Sequence, residues 1–262
     1  MITHFSGITI PTVSIQHVRQ VYAELLRFPI MDEFQQEITF QITECCTLTF
    51  VEKNQPITPV HFAIQVSFST FYETVRFIED SGLLVLNWPD GHTVDKQKGR
   101  VNLYFRDGDG NLLEIIAHDY INEQVVLPYG PLNALYIREI GFPVSNVSNF
   151  RDWLHTVLEM KTSGPAQDTF NFVISGTAHA VVSWEGRPWI PIAMKALPST
   201  IHVSLATNNP TFINKVKRKL RHREDLYSDD VLSFEKSGYS FSLKYAPVYS
   251  VEKLKALNLP GV

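Results

Sequence analysis

The chain repeats itself, and the repeat limits what it can fold into. Residues 8–28, ITIPTVSIQHVRQVYAELLRF, align without a gap on residues 140–160, IGFPVSNVSNFRDWLHTVLEM. Ile8 falls on Ile140, Ile10 on Phe142, Pro11 on Pro143, Leu26 on Leu158 and Phe28 on Met160. Each copy reads as a strand, an exit marked by proline, and a helix. Proline ends the strand because it has no N–H for the ladder. In the first copy Val18, Val21, Tyr22 and Leu25 recur at the three- and four-residue spacing of one helix face. A second pair follows the same plan, from Val60 (VHFAIQVSFSTFYETVRFIEDSG) and from Thr200 (TIHVSLATNNPTFINKVKRKL). Ser69 and Asn208 are the predicted N-caps, and Gly82 the predicted stop of its helix.

The stretches between these units have strand character. EITFQITECCTLTFVEK (from Glu37) and TFNFVISGTAHAVVSWEG (from Thr169) gather β-branched and aromatic residues around a break. GRVNLYFRDGDGNLLEIIAHD (from Gly99) reads as two strands joined by a glycine turn, and VLSFEKSGYSFSLKYAP (from Val231) as its counterpart. The fold class is therefore α+β: two tandem modules, each of two βαβββ units forming a curved mixed sheet around a cleft. The first module spans 1–119 and the second 134–262. Residues 120–133, with two prolines, a glycine and no helical period, form the linker. SVEKLKALN (250–258) reads as a C-terminal helix capped by Ser250.

Composition narrows the function. With 44% apolar and 19% charged residues the chain can bury an ordinary core. A net charge of −4 gives no footprint for nucleic acid, and the basic stretch from Lys215 to Asp225 reads as the solvated face of a helix. No apolar run is long enough to span a bilayer, and the first residues lack the pattern of a leader. The two cysteines, Cys45 and Cys46, are adjacent and point to opposite faces of a strand, which fits a reducing, cytoplasmic location.

Parity within the strands groups the residues that can carry chemistry. In HFAIQV, Phe62, Ile64 and Val66 share an apolar face, while His61, Ala63 and Gln65 share the other. In NLLEIIAH, Leu113 and Ile115 share a face and Glu114 points away from it. His61 and Glu114 thus both face the concave side, and an imidazole with a carboxylate suits a borderline divalent metal. A buried His–Glu pair without metal is the plainer alternative.

HFAIQV followed by YFRDGDGNLLEI resembles the second half of a module of the vicinal-oxygen-chelate superfamily, which includes glyoxalases, bleomycin-resistance proteins and extradiol dioxygenases. The resemblance covers the whole chain as architecture, and its motifs lie within residues 61–115. Gly108 stands where the family usually has proline. The resemblance implies that His61 and Glu114 are metal ligands. It draws the third ligand from a first strand, where His4 qualifies if a β-bulge at Gly7 shifts the parity by one. Glu52 and Glu44 are the other candidates. Tyr104, ten residues before Glu114, matches a tyrosine that contacts substrate in extradiol enzymes. The acid–base histidine expected before it is replaced by Asp95, with His92 nearby on the loop.

By the same comparison Thr200 takes the place of His61 and Ser242 that of Glu114, so the second module is expected to be metal-free. His202 faces the concave side, and Glu139 is an exception on the first strand if the register shifts there. In two-module extradiol enzymes the second module is usually the catalytic one; here the better motif is in the first.

The function so implied is a metal-dependent enzyme acting on a small molecule with vicinal oxygens, ring cleavage being favoured. Fe(II) is the favoured metal, with Mn, Ni or Zn as alternatives. A metal-free binding protein of the bleomycin-resistance type is the second reading, its cleft lined by aromatics such as Tyr104, Phe105, Trp88, Trp184 and Trp189. The expected partner is the small molecule, with no nucleic acid and no membrane; a homo-oligomer is compatible with the fold.

Overall fold

A computed structural model describes residues 1–192, 194–220, 227–228 and 230–260. Four units follow one another, three of them βαβββ and the second with one further strand. The first is β1 (His4–Thr12), helix α1 (Ile15–Arg19) running on into a π-helical turn (Gln20–Leu25), β2 (Ile30–Phe34), β3 (Glu37–Thr43) and β4 (Cys46–Glu52). The second is β5 (His61–Val66), α2 (Phe71–Asp80), β6 (Leu84–Val85), β7 (Val94–Gln97), β8 (Arg100–Arg106) and β9 (Leu112–His118). The third is β10 (Ala134–Val144), α3 (Val147–Leu158), β11 (Lys161–Ser163), β12 (Phe170–Ser175) and β13 (Ala178–Trp184). The fourth is β14 (His202–Thr207), α4 (Pro210–Leu220), β15 (Tyr227–Ser228), β16 (Val231–Lys236) and β17 (Tyr239–Tyr245), followed by α5 (Val251–Ala256).

The α+β class and the two curved mixed sheets are as the sequence implies, but consecutive units do not share a sheet. One sheet runs β15-β16-β17-β14-β1-β4-β3-β2, joining units four and one. The other runs β11-β12-β13-β10-β5-β9-β8-β6, with β7 also paired to β8, and joins units three and two. In every unit the first strand pairs in parallel with the last. The units meet through the antiparallel pairs β1/β14 and β10/β5. The reason lies at the end of the 120–133 segment. There Ser67 N donates to Asn133 O (3.3 Å), Thr74 Oγ1 donates to Leu132 O (3.1 Å), and Tyr129 and Ala134 exchange backbone hydrogen bonds. Unit two thus captures the start of β10 and sends it back along β5.

Local chemistry explains the elements. Ser14 caps α1 by accepting from His17 N, and Ser250 caps α5 by accepting from Lys253 N. The other caps sit one residue later than the sequence suggests. Thr70 precedes α2, and Asn209 Oδ1 accepts from Thr211 N at the start of α4. Gly82 follows α2 at φ +81°, in the left-handed region open to glycine. The π turn widens the first helix, with Leu26 N bonding to Val21 O five residues back. This places Leu26, rather than Leu25, in the core. The basic stretch is helical as far as Leu220, where Lys215 and Lys219 pair with Glu159 on the surface; residues 221–225 of it lie outside the described residues. Both cysteines are free thiols. Among the described residues no helix is long and apolar enough to cross a membrane.

The DGDGN turn sets the position of His61. Asp107 Oδ1 accepts from Asp109 N (3.1 Å) and Asn111 N (2.8 Å). Its Oδ2 accepts from Asn111 Nδ2 (2.8 Å) and from the Tyr22 hydroxyl of unit one (2.8 Å). Asn111 Oδ1 in turn accepts from Val60 N (2.8 Å), the residue before His61. The turn therefore locks the start of β9 to the start of β5. At Gly108, where the family usually has proline, a Cβ would lie 2.3 Å from the exposed ring of His17, which would have to turn aside. Removing the Asn111 side chain leaves a buried N–H at Val60 unpaired and breaks the bond to Asp107. Asn111→Ala is expected to cost about 2 kcal/mol, read as a lower urea midpoint at unchanged slope.

Candidate metal centre

The concave face of the sheet formed by units two and three carries the chemistry. His61, Glu114 and Glu139 are buried there, and each offers a ligand atom within 4.8 Å of the other two. His61 and Glu114 converge as strand parity predicts, with Nε2 and Oε2 3.7 Å apart. His61 Nδ1 lies 3.1 Å from Leu112 O. A carbonyl only accepts, so Nδ1 carries the proton and Nε2 presents a bare lone pair to the two carboxylates. This is the orientation a metal-binding histidine takes when its other nitrogen is tied to the backbone.

Glu139 comes from the other half of the chain. It pairs with Ala63, which itself pairs with Glu114, so β10, β5 and β9 carry the three donors side by side. The ladder is irregular between Ile137 and Glu139. Across this bulge the neighbouring side chains Arg138 and Glu139 both engage the concave face. Arg138 donates to Gln65 Oε1 (3.3 Å) and to the Tyr120 hydroxyl (2.7 Å). Its Nε lies 3.8 Å from Glu139 Oε1.

His4 does not join the centre. The irregularity proposed near Gly7 is present, between Phe5 and Gly7, but β1 belongs to the other sheet. His4 there bonds Thr3 Oγ1 (2.9 Å) and packs on Tyr249, with ring centroids 4.8 Å apart. The third donor is Glu139 because unit two shares its sheet with unit three. Glu52 and Glu44 likewise belong to unit one; Glu52 accepts from Ile15 N, and Glu44 is exposed. His92 is 74% exposed beside Asp90, in a separate surface depression that also contains Asp95.

Burial governs the electrostatics. It pushes the pKa of His61 down to about 4, keeping the imidazole neutral. Burial raises Glu114, and the adjacent Glu139 raises it further. Burial also raises Glu139, while Arg138 opposes the rise. Two desolvated carboxylates beside a bare imidazole nitrogen are costly without a cation. Tyr104 lines the cleft, with its hydroxyl in contact with Glu114 and accepting from Asn102 Nδ2 (2.9 Å).

The cleft encloses a volume of about 100 Å3. The connection from β13 to β14 folds over it, stitched by Ala196 N to Arg187 O (2.8 Å) and Trp189 N to Met194 O (2.7 Å). Trp189 covers His61, with ring centroids 4.9 Å apart. Gly141 permits this approach, because a Cβ there would lie 3.1 Å from the indole. Of the other aromatics named from sequence, Phe105 is in the main core and Trp184 is exposed. Trp88 packs edge-on against Tyr104 and lines the separate depression.

The second sheet holds a depleted counterpart. Ser204 pairs with both Ser242 and Gly7, as Ala63 pairs with Glu114 and Glu139. His202 therefore occupies the place of His61, two residues later than Thr200, which the sequence comparison put there. Serine replaces one glutamate and glycine the other. Ser242 donates to Ser204 Oγ (3.0 Å) and meets His202 Nε2 (2.9 Å), so this Nε2 is the protonated nitrogen. The same symmetry locates a fourth position in the first sheet. His61 lies two residues before the partner of Glu114, and Glu139 two before Gly141, whose partner is Val181. Val181 is apolar, so among the described residues three donors rather than four face the cleft.

No family model matches the sequence, and no curated protein matches it. Solved structures match the fold. A proposed dioxygenase from Bacillus subtilis strain 168 superimposes with a TM-score of 0.66 at 13% identity, over 98% of this chain and 90% of that one. Glyoxalase I from Zea mays superimposes with a TM-score of 0.57 at 13% identity, over 97% and 96% of the two chains. The chain has the fold of the vicinal-oxygen-chelate superfamily, with its buried imidazole–dicarboxylate group contributed by both halves of the sequence.

Proposed function

We propose that His61, Glu114 and Glu139 hold one divalent first-row metal ion, and that the protein is a metal-dependent enzyme acting on a small molecule that binds through two vicinal oxygens. The observation that carries this reading is the convergence of a bare imidazole nitrogen and two buried carboxylates. One imidazole and two carboxylates form a harder set than the two-histidine site first considered. It suits Mn(II) or Fe(II), and Ni(II) or Zn(II) also accept these donors. Once bound, the ion would supply Lewis-acid stabilisation of charge developing on the ligated oxygens.

The chain's own residues do the rest. The contact with Tyr104 fixes one carboxylate, Trp189 shields the imidazole from water, and Val181 leaves the fourth side free. Ring cleavage calls for an acid–base histidine. Among the described residues His61 is the one histidine lining the cleft, and it is engaged as a donor. A glutamate is thus the group placed to move a proton at the substrate. This favours a glyoxalase-type isomerisation or lyase step over ring cleavage. Trp189 and the phenylalanines of the cleft would serve a metal-free binding protein equally well, so metal content separates the two readings.

Protein exposed to Fe(II), Mn(II), Ni(II) or Zn(II) and then desalted should retain about one ion per chain of at least one of these, by elemental analysis. His61→Ala should retain none; wild-type protein that retains none of the four overturns the enzyme reading.

Stability should separate a metal site from a structural acid pair. Without metal, burial favours the protonated, neutral form of Glu114, which Glu114→Gln mimics while keeping an acceptor for Tyr104, so stability near neutral pH should hold to within about 1 kcal/mol. With Mn(II) at about 100 times its dissociation constant, wild type should gain about 2.7 kcal/mol and the variant much less. Thermal melts with and without the ion measure both.

A further inference from the structure

We propose that the ligand of this cleft carries a carboxylate on a flat apolar body, and that Arg187 on the β13–β14 connection receives that carboxylate. This deepens the preceding reading and rests on it. Arg187 lines the same cleft as the three metal donors. Its Nη1 is buried and makes no hydrogen bond. Its guanidinium carbon stands 4.0 Å from the centre of the Phe170 ring. A guanidinium held over an aromatic face, with a donor withdrawn from water and unmet by protein, is prepared for a planar anion.

Charge balance points the same way. A divalent ion would cancel the two glutamates. The second cleft arginine, Arg100, is already offset by Asp95, 3.6 Å away. Arg138 and Arg187 then remain as positive charges, and of the two Arg187 lines the cleft, where its environment contributes burial and no acidic neighbour. Phe170, Phe172, Trp189, Leu112 and Val181 supply apolar walls. Phe170 and Phe172 meet edge to face at 89°, presenting surfaces suited to an aromatic ring. The metal end would take the vicinal oxygens and the arginine end the carboxylate, so one molecule would satisfy both.

The test is calorimetric titration of the manganese-loaded chain with catechol, 2,3-dihydroxybenzoate and 3,4-dihydroxybenzoate. All three offer vicinal oxygens, and only the last two add a carboxylate. At least one dihydroxybenzoate should bind about tenfold more tightly than catechol. Arg187→Gln should lower that ratio towards one, and Arg187→Lys should keep part of it. Manganese content and circular dichroism of each variant establish that the site and the fold persist. Equal affinities for catechol and both benzoates in the wild type would overturn the carboxylate subsite and leave the metal reading standing. A preference undiminished in Arg187→Gln would overturn the role of Arg187. A chain that holds manganese but binds none of the three would overturn the vicinal-oxygen reading, and the subsite with it.

Discussion

The antiparallel pairing of β5 with β10 is the constraint on which the rest of the structure depends. His61 and Glu114 lie on neighbouring parallel strands of one unit, and a βαβββ unit makes that pairing by itself. Two donors on one sheet still leave a cation weakly held. The third arrives because β10, starting where Ser67 and Thr74 capture the preceding segment, runs back along β5 and sets Glu139 opposite Ala63. Had unit two shared a sheet with unit one, the same place would be occupied by Gly7, its counterpart in the repeat, which has no side chain to offer.

That difference explains what could be read from sequence and what could not. The repeat gives four strand–helix–strand units because proline exits and helix faces are local signals. The convergence of His61 and Glu114 is legible because alternation along a strand is local too, and the DGDGN turn fixes the register between their strands. Which unit joins which is decided by the end of a segment whose composition says only that it is not helical. His4 is therefore the first-strand candidate for the third donor, while Glu139 falls in a module expected to be metal-free, and each needs a shifted register to face the concave side. Both strands are irregular near the expected place, so irregularity alone does not choose between them. Sheet membership chooses. The mislocated counterpart of His61 has the same origin: the register against β17 identifies His202, while the linear alignment stopped at Thr200.

The two sheets show what a metal-type constellation loses when its charged members are replaced. At the first, burial forces up two carboxylates, and the backbone holds the imidazole with its lone pair inward. At the second, Ser242 and Ser204 satisfy the histidine as ordinary hydrogen-bonding groups, and its Nε2 carries the proton instead. The backbone ladder is common to both, so the difference lies in the side chains. A half-buried neutral chain of hydroxyls and imidazole is self-sufficient. Two buried carboxylates facing a bare nitrogen are so only when they take up a proton or a cation. Arg138 offsets one of them in part, yet its own Nε finds no hydrogen-bond partner, and its better contacts are Gln65 and Tyr120.

Keeping such a group costs stability that a purely structural sheet would not spend, and the surrounding residues show where the cost is contained. The acids sit on strands held on both sides, so relaxation cannot carry them to water. Asn102 and Tyr104 steady Glu114 from β8 without neutralising it. Gly141 forgoes a side chain so that Trp189 can close over His61. Removing water in this way strengthens each remaining charge interaction inside the cleft. It also makes the withdrawn donor of Arg187 more demanding of a partner. The fold thus places a buried acidic pair and a basic group with an unpaired donor around one cleft. The simplest occupant that answers both is a cation together with an anion-bearing molecule bound to it.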